Sequence, residues 1–114
     1  MRDTEVGRKD DGGKPRIDLV DPSLLPAVGS ILSFGASKYG DRNWEKGIAY
    51  GRVFAAMQRH LWAWWSGQDL DEESGLSHLA HGLCNLMFLI AFSKRPVEFR
   101  KQFDDRPWSR NASL

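Results

Sequence analysis

Residues 76–92 read LSHLAHGLCNLMFLIAF, and this stretch decides the fold. Its leucines and its polar residues recur every three or four positions, the rhythm of a helix. At about 100° per residue, Asp71, Ser74, His78, His81 and Asn85 fall within roughly 80° of one another as a polar stripe. Leu76, Leu79, Leu83, Leu86, Met87 and Ile90 fill the neighbouring arc. Beyond Asn85 the run is apolar all round, so the helix must be central or covered by another chain. The spacing predicts a helix from Asp69 or Asp71 to about Lys94, where Arg95-Pro96 ends it.

Two helices precede it. Asp21-Pro22 is a helix start, with Asp to cap free amides and Pro where a missing N–H costs nothing. Leu24, Leu25, Val28, Ile31, Leu32 and Gly35 then carry a first helix to about Lys38. Tyr39 to Gly47 is rich in turn formers and reads as a loop. A second helix covers about Ala49 to Ser66 and stops at Gly67. After Pro96 the spacing allows one short helical turn around Phe99 and Phe103, and then irregular chain. No segment alternates as a strand does.

The expectation is an all-α fold of three main helices plus a short C-terminal helical turn. An N-terminal arm (1–20) leads into the helical domain (21–95) and a tail (96–114). Two helices of this size hardly surround the third. A homodimer or a higher even homo-oligomer is therefore expected to complete the bundle.

Composition sets the outer bounds. The chain has 114 residues, 41% of them hydrophobic, enough for one core without staples. Sixteen basic against fifteen acidic residues leave a net charge of +1, so no global field draws it to nucleic acid or membrane. One cysteine, Cys84, excludes a disulfide framework. The apolar run is too short to span a bilayer, and no cationic-then-apolar leader opens the chain. A cytoplasmic location is expected. Five tryptophans are many for this length, and Trp62 and Trp65 read as packing residues.

His60 shares an otherwise apolar arc of the second helix with Val53, Ala56, Met57 and Trp64, so it points inward. Its natural partner is the polar stripe. His60, His78 and His81 are all the histidines of the chain, and they converge on one place. Histidines at i and i+3, joined by a third from a facing helix, are a metal-site pattern, with Asp71 or Glu73 as carboxylates. The same residues also fit a set of hydrogen-bonded core histidines. Basic residues on loops are usually solvated surface, but Lys14, in the glycine-led turn Gly12-Gly13-Lys14-Pro15-Arg16, and Lys38, at a helix end, suit reaching toward an anionic ligand.

Read in order, these residues resemble a known family. The carriers are Gly13-Lys14-Pro15-Arg16-x-Asp18-Leu19, Lys38-Tyr39-Gly40-x-x-Asn43-Trp44-x-x-Gly47, Arg59-His60-Leu61 and Asp71-x-Glu73-Ser74-Gly75-x-x-His78-x-x-His81-x-x-x-Asn85. Together they resemble the dATP/dGTP diphosphohydrolase N-terminal domain family, relatives of the MazG-like all-α nucleotide pyrophosphohydrolases. The resemblance implies hydrolysis of a purine deoxynucleoside triphosphate to monophosphate and pyrophosphate, with a divalent cation, usually magnesium.

The wider superfamily carries Glu-Glu-x-x-Glu on one helix, where this chain has Met57-Gln58-Arg59-His60. Imidazole suits manganese or another softer ion better than magnesium. Either the ion is softer, or Asp71, Glu73 and Asp18 supply oxygens while histidines move protons. On this reading Asp71, Glu73, His78 and His81 hold the metal, and His60, Glu73 and His78 are catalytic. Lys14, Arg16, Lys38, Tyr39, Asn43, Trp44 and Asn85 then bind the nucleotide. The rival expectation is a non-catalytic adaptor that binds nucleic acid through its tail. That tail carries Lys94, Arg95, Arg100, Lys101, Arg106 and Arg110 against three acids, a net of +3 and weak for phosphate binding.

Overall fold

The computed structural model describes residues 6–108, so Arg110 of the tail lies outside the described residues. Four α-helices and no strand are found among them: α1 (Leu24–Tyr39), α2 (Tyr50–Trp65), α3 (His78–Ser93) and α4 (Val97–Phe103). The all-α expectation holds, including the short C-terminal helix. None of these helices is long and apolar enough to cross a membrane.

α3 is central, as its apolar circumference requires, with α1, α2 and α4 each packing on it. The core gathers at its C-terminal half. Phe92 is fully buried, Tyr50 and Val53 of α2 sit against it, and Trp44, Phe88, Phe99 and Phe103 pack around them. Trp44 stacks on Phe88 at 4.7 Å between ring centroids.

The third helix starts later than its periodicity predicts. It begins at His78 and not at Asp69 or Asp71. Ser77 caps it, its hydroxyl accepting from the amides of Leu79 and Ala80. Residues 67–77 instead form a tight loop closed by an antiparallel bridge between Leu70 and Ser77. Its turn is made by Gly75 at φ 71°, whose amide donates to the Asp71 carbonyl at 2.8 Å. Asp71 and Ser74 are therefore loop residues and not members of a helical stripe.

The connection between α1 and α2 is held by the far end of the chain. Gly47 has φ 104°, and a Cβ there would lie 2.3 Å from the Phe103 ring of α4. Position 47 is thus closed to any side chain by both backbone and packing. Four residues on, the Gly51 amide at the start of α2 donates to Asp105 Oδ1 at 2.8 Å. α2 has no side-chain cap of its own, since Ala49 precedes it.

Trp62 and Trp65 do not pack inside the chain: they are 61% and 73% exposed. Leu79, Leu86 and Ile90 of α3 are also exposed. The apolar surface of α3 is thus only partly covered within one chain.

Candidate active site

The site is built where α2 and α3 come closest. Gly82 permits the approach, because a Cβ there would meet Leu61 Cδ2 at 3.0 Å. One residue before each of these lie His60 and His81. One helical turn before His81 lies His78.

The three histidines meet as the sequence predicts. His60 Nδ1 is 2.9 Å from His78 Nδ1. The His60 ring lies flat on His81, with centroids 4.3 Å apart and planes within 3°. His78 is almost wholly buried, and the other two are partly so. Phe34 of α1 closes the set from the side, edge-on to His81.

Asp71 and Ser74 reach the cluster through the loop. Asp71 Oδ2 accepts the Ser74 amide at 2.9 Å and lies 3.9 Å from His81 Nε2. Ser74 Oγ accepts from the Leu76 amide and is 2.7 Å from His81 Nε2. Among the described residues, one group has metal-binding geometry: His60, Asp71 and His78 offer ligand atoms within 4.8 Å of one another. His81 stands beside this group and not in it. Glu73 is drawn away, its Oε1 pairing with Lys38 Nζ at 2.5 Å on the surface.

Burial sets the charges. It pushes the pKa of His60 down, and the neighbouring His81 adds to the effect. Burial likewise lowers His81, with Asp71 opposing. For Asp71 burial acts upward, but the Ser74 amide and hydroxyl and the nearby imidazoles outweigh it, and the pKa falls. At neutral pH these shifts favour two uncharged imidazoles beside a carboxylate. For His60 and Asp71, two members of the metal-binding group, that is the protonation state a cation needs.

Two cavities adjoin at the cluster. The larger, about 660 Å³, runs from His60 and His81 along α1 and the loop after it. Lys38, Tyr39, Asn43, Trp44 and Asn85 line it, so five of the seven expected nucleotide contacts share one wall system. The smaller, about 340 Å³, is lined by Arg59, Asp71, Glu73 and His78, and shares Phe34, His60 and His81 with the first.

Lys14 and Arg16 line neither cavity. Arg16 forks onto Asp18 at 2.8 and 2.7 Å on the exposed segment before α1, which also keeps Asp18 from the cluster. Phe34 and Arg59 were not picked out as site residues from the sequence. Phe34 stands one helical turn before Lys38, a spacing that identifies it once Lys38 is suspected. Arg59 adjoins His60 on the exposed side of α2 and lines the smaller cavity with Asp71 and Glu73 of the loop.

The profile of the family described as dATP/dGTP diphosphohydrolase, N-terminal, matches residues 4–106. A protein of Salmonella phage PMBT28 named dATP/dGTP diphosphohydrolase is 38% identical over 105 residues, 91% of this chain. The match covers 34% of that relative, so the chain spans about a third of its length. No solved structure matches the chain. With the profile covering nearly its whole length, the chain belongs to the dATP/dGTP diphosphohydrolase N-terminal domain family.

Proposed function

We propose that this chain hydrolyses purine deoxynucleoside triphosphates, dATP and dGTP, to monophosphate and pyrophosphate. The observation that carries the reading is one juxtaposition. His60 and His81, both with lowered pKa values, stand with Asp71 and His78 where two cavities adjoin, and the wall of the larger cavity holds a lysine, two aromatic rings and two amides. The name of the phage relative supplies the substrate class.

The donor set of His60, His78 and Asp71 fits a first-row transition ion such as manganese better than magnesium, because two of its three donors are nitrogen. When bound, such an ion neutralises phosphate oxygens during cleavage. The remaining work falls to the chain. Lys38 sits at the cavity wall with its charge secured by Glu73, whose hydrogen bond raises the lysine pKa. It faces the triphosphate. Tyr39 and Trp44 offer ring faces to the purine, and Asn43 and Asn85 offer amides to its edge. His81, held at Nε2 by Ser74, is the group placed to take a proton from the attacking water. Glu73 acts through Lys38.

We further propose that the chain works as a homodimer, with the exposed apolar stripe of α3 as its seam.

The test is a panel of the eight common nucleoside triphosphates with magnesium or manganese, scored for pyrophosphate and monophosphate. Release confined to dATP and dGTP, and faster with manganese, is the expected result. Silence from folded, metal-loaded protein overturns the reading in favour of a non-catalytic binding module.

A further inference from the structure

Behind His78, on the side away from His60, lies Gln68. Its Oε1 is 3.2 Å from His78 Nε2, while its own Nε2 donates to Glu72 Oε1 at 3.3 Å. The carboxylate fixes which way the amide faces. Turned round, the amide would set its carbonyl oxygen against a carboxylate oxygen, two acceptors with no proton between them. Gln68 therefore presents its carbonyl to His78.

An acceptor-only carbonyl demands a proton on His78 Nε2. In the neutral ring His78 Nδ1 is then bare, and it is this nitrogen that lies 2.9 Å from His60 Nδ1. In the metal-free protein His60 must donate across that gap, which places its proton on Nδ1 and leaves Nε2 bare. With an ion present, the same bare His78 Nδ1 would be the nitrogen free to hold it, and Gln68 would be the outer-shell carbonyl that metal-bound histidines commonly require.

We propose that Gln68, aimed by Glu72, is a positioning residue that sets the tautomers of His78 and His60. It touches no substrate, and it lies in the loop between α2 and α3 outside both cavities. The inference rests on the proposed site, but its first test does not depend on activity.

That test is a long-range proton–nitrogen correlation spectrum of the histidine-labelled full chain, freed of metal by chelation, at a pH where the rings are neutral. The expected spectrum has His78 protonated at Nε2 and His60 at Nδ1, the tautomer that a free imidazole disfavours. Gln68→Leu returns His60 to the Nε2-protonated form, and the paired exchange Gln68→Glu with Glu72→Gln restores the wild-type pattern, because residue 68 still accepts from His78 and the new amide at 72 donates to it. A wild-type His60 protonated at Nε2, or a pattern unmoved by Gln68→Leu in folded protein, overturns the proposal.

The second readout is cobalt(II) binding followed by its visible absorption. Gln68→Leu weakens it about tenfold and the Gln68→Glu, Glu72→Gln exchange recovers it. Equal cobalt affinity in wild type and Gln68→Leu counts against the positioning role. The expected tautomers in a protein that hydrolyses no nucleotide would overturn the proposed activity and leave Gln68 in its role.

Discussion

His60 and His81 lie ring on ring, each partly buried, and neither has room for a second positive charge beside it. Both have pKa values pushed below the ordinary histidine value of about 6.5. The consequence for stability has a definite sign. Below about pH 6.5 the unfolded chain takes up protons that the folded cluster refuses, so stability is full above that pH and lost as pH falls towards the folded values. The lowered pKa of Asp71 acts in the same direction, but only in the carboxylate range below about 4. The midpoint of urea unfolding should therefore drop between pH 7.5 and 5.5, and His60→Gln should flatten that drop. A wild-type midpoint that rises on acidification would contradict the burial reading. At this scale the sequence was informative: helical phase alone brings His60, His78 and His81 together. Asp71 arrives for a different reason than its phase implies, through a turn and not a helix face. Gln68 was illegible, because its contact depends on the path of a loop whose closure no local periodicity encodes.

At the scale of elements, the helices were legible where apolar spacing is regular, and their ends were legible where Gly or Pro marks them. The start of α3 was missed because Asp69, Asp71, Glu72 and Glu73 mimic the acidic first turn of a helix. Ser77 was the better signal, since its hydroxyl satisfies two of the free amides. The start of α2 depends on a distant residue. Asp105 caps it across 54 positions of sequence, so α4 and the tail close the structure onto the helix that carries His60. Removing that carboxylate as Asp105→Ala should cost about 1 kcal/mol, the usual worth of an N-cap. Denaturant unfolding measures it, and Asp105→Asn, which keeps the accepting oxygen, should recover most of the loss. No difference between Ala and wild type would mean that solvent satisfies the Gly51 amide equally well.

For the whole molecule, the central fact is a small core beneath a large exposed apolar face. Phe54, Leu61 and Trp65 on α2, and Leu79, Leu86 and Ile90 on α3, are all exposed. Each set is spaced i, i+7, i+11, which gathers it on one helical face. Leu61 packs over Gly82, and Gly82 falls between Leu79 and Leu86, so the two stripes flank one seam. His60, His81 and Asn85 line the cavity against α1, and no helix among the described residues covers the stripes. An apolar surface of this kind is rare on a monomer. A second copy would offer a matching pair of stripes about a two-fold axis, and the proposed homodimer would complete a four-helix arrangement from two α2–α3 pairs. Sedimentation equilibrium should accordingly report twice the mass of the 13.0 kDa chain. Ile90→Glu, at the C-terminal end of the exposed α3 stripe and away from the cavities, should yield monomer with a lower melting temperature that no longer depends on protein concentration. A wild-type chain that stays monomeric at high micromolar concentration would break this account of the face, and would leave its six apolar side chains to a different protein.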